Sequence, residues 1–480
     1  MLPKTGRWIC ASLMFTAFVV RAAQTPGTNN LPKETEIRNL LTERIKALGG
    51  ESSGVGIVVG MISPEGRQII SAGRRSSDDV RPPNGDTVFE IGSVTKAFTA
   101  LLLGEMAVKN EVALNDSVAK YLPDGFKVPE RNGRKISFLD LATHTSGLPF
   151  MPNEPVTSND PTPERYSGAD LHQFVANYKL PSDIGGKWDY SNVGYWLLGE
   201  GLAGRAGTDY QTLLRKRVIA SLGLTNTSFA LSPEMKTNFA VGHNAVLGPA
   251  QPVSTLPMYS SMSAAGGLYS TSNDLLKLLA VAMNYEHSSL GQAIHLTWTT
   301  RRPISSNRSE QALGWTIMHE QNDKLIVHDG GTFGYASSIA WDPVRRAGVV
   351  VLSNQVASVG DLARHLLWPS FPLEKPIATK RNEIEIDPAK LDLYVGNYEA
   401  SGEGIFEVDR EGDVLVIRAP AEWGLPKFKL HPESRQEFFV AELPLRVAFR
   451  FESDGSVNKM LVYPPRGQRP ISAARLTNPR

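Results

Sequence analysis

Five residues of this 480-residue chain, Ser93, Lys96, Tyr190, Asn192 and His328, have the types and the order that acyl transfer through a serine requires. An unassisted serine hydroxyl is a poor nucleophile, but a lysine desolvated by apolar neighbours can lose its proton and accept the one serine gives up. A tyrosine whose phenol lies near an ammonium can act as general base and then return the proton to a leaving group. An asparagine amide can hold a substrate carbonyl and the lysine together. Ser-x-x-Lys spacing alone is weak, since on the order of two such tetrads arise by chance in a chain of this length. Three occur: Ser93 to Lys96, Ser117 to Lys120 and Ser456 to Lys459.

Context chooses among them. Gly92-Ser93 opens a run, Val94 to Leu103, that reads as a buried helix with Ser93 at its start. A serine there lies in the field of free N–H groups and the positive end of the helix dipole, which favours negative charge near its oxygen. Lys96 projects from the same face one turn later. An N-cap serine with a snorkelling lysine is the structural alternative. Ser117 follows Asn115-Asp116 and reads as a polar helix start, and Ser456 follows Asp454-Gly455, a hairpin turn.

Tyr190-Ser191-Asn192 is the one place where asparagine follows tyrosine by two positions, and an apolar run from Val193 to Leu198 comes next. Phenol and amide would thus be presented from a loop end just before a helix, where a half-buried tyrosine beside an N-cap asparagine is the alternative. His328-Asp329-Gly330-Gly331 lies between the apolar runs Leu325 to Val327 and Ser338 to Trp341. On a strand edge such glycines admit a substrate backbone, and the N–H groups of Gly331 and Ser93 could face a developing oxyanion. A glycine-rich hairpin loop is the competing interpretation.

Taken with Leu139-Asp140-Leu141-Ala142-Thr143-His144-Thr145-Ser146-Gly147-Leu148-Pro149, the Gly266-Gly267 to Leu275 segment and Gly314-Trp315, these elements resemble the serine β-lactamase and DD-peptidase superfamily. The likeness is to the branch of class C β-lactamases, DD-carboxypeptidases and related esterases, and it covers roughly residues 34 to 368. The resemblance implies an α/β (α+β) serine β-lactamase-like fold, an antiparallel sheet flanked by helices plus a helical insertion. It also implies that Ser93 is the nucleophile, that Lys96 and Tyr190 share proton transfer, and that Asn192 and Lys96 hold the site together. His328, Gly330 and Gly331 would form the substrate-binding strand edge. Substrates would be D-Ala-D-Ala-type peptides, β-lactams or small esters, with a non-hydrolytic penicillin-binding sensor as a further alternative and no cofactor implied. The pattern departs at one place: β-lactamases of this kind carry Lys-Thr-Gly where this chain has His328-Asp329-Gly330. The literal Lys4-Thr5-Gly6 precedes the serine and is a decoy. A titrating imidazole replaces a permanent charge, so carboxylate-bearing substrates are expected to bind better below its pKa, about 6.5 if unperturbed.

A net charge of +1 with 21% charged residues gives no electrostatic case for nucleic acid. Lys4 and Arg7, the apolar Ile9 to Val20 and the small pair Ala22-Ala23 read as a signal peptide over residues 1–23, with an uncleaved anchor as the alternative. A periplasmic or secreted location follows. The sole cysteine, Cys10, lies inside that segment, so the mature chain would have neither disulfide nor thiol chemistry. Histidines such as His144, His172, His243 and His365 lack metal-ligand spacing and read as structural, and no metal is expected. No Gly-x-Ser-x-Gly nucleophile elbow is read, which disfavours an α/β-hydrolase.

The elements that must position these residues follow from periodicity. Glu34 to Leu48 reads as an amphipathic helix, and Val55 to Ile62 with Arg67 to Ala72 as a hairpin. Residues 93 to 290 are mostly helical. Strands return at Leu325 to Val327, Ser338 to Asp342 and Gly348 to Ser353, with a helix near 358 to 367. Strands from both ends therefore surround a helical insertion. The hydrolase domain is placed at 34–368 and a Pro-rich linker at 369–382. Short alternating segments from 383 to 480 predict a small all-β barrel, whose start, Tyr394-Val395-Gly396-Asn397-Tyr398, is similar to a lipocalin-like appendage.

Overall fold

The computed structural model describes residues 31–48, 50, 53–152, 167–244, 251–252, 262–304, 309–320, 323–332, 334–374, 383–400, 404–420, 427–440, 445–452, 454–463 and 470–476. The expected signal peptide at 1–23, Lys4-Thr5-Gly6 within it and most of the expected 369–382 linker lie outside these residues.

The expected hairpin forms from β1 (Gly56–Ser63) and β2 (Gly66–Gly73), with Ser63 paired to Gly66 at its turn. A short pair follows, β3 (Val88–Glu90) with β4 (Tyr269–Thr271). Six more strands come after it: β5 (Arg301–Pro303), β6 (Ser309–Ala312), β7 (Thr316–Glu320), β8 (Asp323–Gly331), β9 (Ala336–Asp342) and β10 (Ala347–Ser353). The main sheet has eight strands in the order β2-β1-β10-β9-β8-β7-β6-β5, and every pairing is antiparallel.

Its central strands are apolar at successive positions because both faces are covered. Ile57, Val59, Leu325, Val327, Val349 and Val351 pack on one side with Ile37, Leu41 and Ile45 of helix α1 (Glu34–Ala47). Val58, Ile326, Ile339, Val350 and Leu352 face the other side. There lie α2 (Thr95–Val108), α3 (Phe138–Ala142), α4 (Asn192–Ala206), α5 (Ser263–Gly266) and α6 (Ser272–Ala282). The last helix, α7 (Gly360–Leu367), returns to the α1 side through Leu362 and Leu366.

Two expectations are extended. β8 does not stop at Val327 but runs on through Gly331, so the His-Asp-Gly-Gly stretch is strand and not hairpin loop. Strands β5 to β7 were invisible to periodicity: Arg301-Arg302-Pro303 and Ser309-Glu310-Gln311-Ala312 do not alternate, and only hydrogen-bonded register makes them strands.

The C-terminal strands are β11 (Gly396–Ala400), β12 (Gly404–Glu411), β13 (Val414–Arg418), β14 (Phe428–Pro432), β15 (Glu437–Val440), β16 (Arg446–Phe451), β17 (Val457–Tyr463) and β18 (Ile471–Arg475). They close into an antiparallel barrel around Tyr398, Phe406, Leu430, Phe438 and Phe449. Alternation in the sequence marks five of them, Gly404 to Val408, Val414 to Ile417, Phe438 to Val440, Val447 to Phe451 and Lys459 to Tyr463; β11, β14 and β18 complete the closure.

Candidate active site

Ser93 lies in a one-turn 3-10 helix, Gly92–Val94, that runs straight into α2. All of α2 from Thr95 to Met106 is buried, so its polar side chains need partners inside the protein. The turn at α5 supplies those of Thr95, Lys96 and Thr99. Thr99 Oγ1 donates to Ala264 O at 2.7 Å, and Leu268 N donates to Thr95 Oγ1 at 3.2 Å. Lys96 is fully buried; its Nζ donates to Ala265 O at 2.6 Å and to Asn192 Oδ1 at 2.7 Å, and lies 3.2 Å from Ser93 Oγ. Both carbonyl oxygens can only accept. A neutral amine would spend its two N–H bonds on them and turn its lone pair to the Ser93 hydroxyl. Burial holds the Lys96 pKa well below the ordinary lysine value and so favours that neutral form.

Tyr190 sits at the end of the loop before α4, half-buried, with Lys96 Nζ 4.8 Å from its ring centroid. Ser191 caps α4 through Oγ, which accepts from Gly194 N at 2.7 Å, so Asn192 is the first helical residue and not the cap. A second phenol, Tyr195, lies 5.5 Å from Lys96 Nζ by its ring centroid. Its hydroxyl donates to Ala142 O at 2.8 Å, and burial keeps its pKa well above the usual phenol value, so it stays protonated.

The strand edge is built as the alternation of β8 dictates. Pairing with β7 ends at Thr316 opposite Val327, which leaves His328 to Gly331 without that neighbour. Asp329 points to α7, where Arg364 grips its carboxylate at 3.2 and 2.7 Å. Gly330 and Gly92 mark a close approach: a Cβ on Gly330 would stand 2.1 Å from Ile91 O, and one on Gly92, at φ +47°, 2.8 Å from Gly331 N. Gly331 itself is exposed and open. The structure thus brings all seven candidate residues together around the Ser93 turn.

His328 differs from expectation. Gly314 O can only accept, so the imidazole donates from Nδ1 at 2.7 Å and keeps its Nε2 lone pair. Burial pushes its pKa down to about 4, against the Gly314 bond, which works the other way. The unperturbed value near 6.5 therefore does not apply, and at neutral pH the residue carries no charge.

The competing tetrads are apart from this cleft chemistry. Lys120 is exposed and pairs with Asp116 at 3.8 Å, while Ser456 Oγ donates to Asp454 Oδ1 at 2.7 Å in an exposed turn. Contrary to expectation the letters Gly50-Glu51-Ser52-Ser53-Gly54 do satisfy Gly-x-Ser-x-Gly; Glu51 and Ser52 lie outside the described residues, and the motif falls between a helix, α1, and a strand, β1, the reverse of an elbow's order.

Two neighbours escaped the sequence reading. Ala265 contributes only a backbone carbonyl, which no side-chain motif announces. His144, expected to be structural, is fully buried and stacks on Tyr190 with ring centroids 4.3 Å apart and planes at 27°. Its place two residues before Ser146-Gly147 was the available signal. On β3, Glu90 is buried and its pKa is pushed up to about 7 by burial, with the Thr332 hydroxyl opposing.

A family model for Beta-lactamase matches residues 41–367. The chain is 27% identical over 366 residues to the D-alanyl-D-alanine-carboxypeptidase/endopeptidase AmpH of Escherichia coli K12, covering 71% of this chain and 90% of that protein. It is also 27% identical over 357 residues to a Beta-lactamase of Pseudomonas fluorescens, covering 67% of this chain and 94% of the relative. Among solved structures, an octameric penicillin-binding protein homologue from Pyrococcus abyssi superposes with a TM-score of 0.60 at 21% identity, over 92% of this chain and 100% of that one.

Proposed function

The chain belongs to the Beta-lactamase family of serine hydrolases, and from that premise we propose that it is an exported, penicillin-binding DD-peptidase acting through a Ser93 acyl-enzyme on D-Ala-D-Ala-type peptides. The observation that carries the chemistry is the buried amine of Lys96, 3.2 Å from Ser93 Oγ with both of its N–H bonds committed elsewhere. Ser93 Oγ attacks the acyl carbonyl as its proton passes to Lys96. The N–H groups of Ser93 and Gly331 hold the oxyanion. Tyr190 delivers a proton to the leaving nitrogen as the C–N bond breaks, and water then cleaves the ester by the reverse path.

The peptide reading is supported by the AmpH relative and by the strand edge at His328 to Gly331, beyond the last residue that β7 pairs, the kind of edge that an extended backbone joins. A neutral His328 offers Nε2 as an acceptor for a substrate N–H or hydroxyl. A β-lactamase is the second reading, supported by the Pseudomonas relative.

Burst kinetics and intact mass with a fluorescent penicillin, a D-Ala-D-Ala tripeptide and a nitrophenyl acyl ester test both. The expected result is a covalent adduct that Ser93→Ala abolishes and Ser117→Ala and Ser456→Ala leave intact. The substrate whose adduct turns over fastest names the class. An adduct surviving in Ser93→Ala would remove the mechanism.

A further inference from the structure

His144 is held in an unusual way for a residue with only a packing role. It sits just after α3 at φ +56°, a left-handed conformation uncommon outside glycine but one that histidine adopts more readily than most residues. Its Nδ1 accepts from Ser191 N at 3.0 Å, and its carbonyl accepts from Asp189 N at 2.8 Å. These two bonds bracket Tyr190 on both sides. The imidazole face then lies along the phenol ring, with Tyr195 at 5.0 Å and Trp188 at 6.3 Å closing the surround. A backbone N–H can only donate, so Nδ1 carries the lone pair and the proton is on Nε2, a buried atom with no hydrogen-bond partner among the described residues. Leaving that donor unbonded is unfavourable. It indicates that the ring is kept for what its face and its Nδ1 do.

We propose that His144 is a positioning residue for Tyr190: a neutral imidazole that clamps the backbone on either side of the tyrosine and fixes its phenol ring by stacking, so that the hydroxyl is aimed for proton transfer. The inference rests on Tyr190 being a proton carrier in the reaction proposed above.

Two substitutions separate the ring from the acceptor. His144→Asn keeps an oxygen for Ser191 N–H and tolerates the positive φ, but removes the stacking face. His144→Phe keeps the face and loses the acceptor. Each is combined with Tyr190→Phe, which retains the stacked ring and removes only the hydroxyl, in a double-mutant cycle. The rate of acylation by a fluorescent penicillin is measured per molecule of labelled enzyme. With Tyr190 present, His144→Asn is expected to slow acylation by roughly ten- to a hundredfold, the scale of a misaimed reacting group. With Tyr190→Phe present, the same change is expected to alter the rate by less than about twofold, because the hydroxyl it aims is gone. Equal losses in both backgrounds would assign His144 to packing alone and overturn the proposal, as would no loss in either. If His144→Asn does not fold, the cycle with His144→Phe decides by the same comparison. A Tyr190→Phe single variant that acylates at the parent rate is a separate failure: it removes Tyr190 from the mechanism and the premise of this inference with it.

Discussion

Lys96 can present a lone pair to Ser93 because Ala265 O and Asn192 Oδ1 occupy its N–H bonds, and because nothing wet reaches it. At this scale the roles are separable by chemistry. Tyr190→Phe is expected to lower the acylation rate by about 10² to 10⁴, typical of a positioned acid-base group, with the ring packing retained. A change of only a few-fold would leave Lys96 as the sole base. His328 gives a second test. Its imidazole is protonated only as pH falls toward about 4, so the affinity for a carboxylate-bearing substrate should rise on acidification through that region and stay flat between pH 6 and 8. A binding step centred near pH 6.5 would mean that the ring is charged in the free enzyme at mild acidity. His328→Lys should lose the acid-side rise.

Among elements, the site depends on how closely the Ser93 turn meets β8. Gly330 has no room for a side chain, since its Cβ would meet Ile91 O, a backbone atom that cannot rotate away. Gly330→Ala should push the strand from the turn and slow acylation by roughly 10²-fold, with a far smaller effect from Gly331→Ala on the fold because that position is open. Comparable thermal midpoints but equal rates in the parent and Gly330→Ala would contradict this. The same contact explains what could be read in advance. Ser93, Lys96, Tyr190 and Asn192 were legible because their chemistry resides in side chains of fixed spacing before apolar helices. The sheet centre was legible from its apolar runs. The length of β8, the polar strands β5 to β7 and the carbonyl of Ala265 were not, because register and backbone approach between distant segments set them. His144 was visible as a letter but not as a neighbour of Tyr190, which lies in another loop.

For the whole molecule, two buried groups set opposing pH responses. His328 falls from 6.5 to about 4, so the unfolded chain binds more protons than the native one between those values, and stability declines as pH drops through that range. Glu90 rises from 4.5 to about 7; there the native state holds the extra proton, and stability declines as pH climbs through that range. Each effect is of the order of 3 kcal/mol at full extent, and because their slopes are opposite the stability changes little with pH near 5 to 6. Glu90→Gln should raise the thermal midpoint at pH 8 and make the acid-side loss steeper; an unchanged midpoint at pH 8 would mean that Glu90 is not charged at a penalty in the native state. The order of the main sheet has one more consequence, in time and not in energy. β1 lies against β10, with Ile57 opposite Ser353, so the first strands of the chain have no central partner until the segment around residue 353 exists. Closing so long a loop makes sheet assembly slow and late. A chain emerging from a ribosome would stay open until nearly all of this sheet had been made.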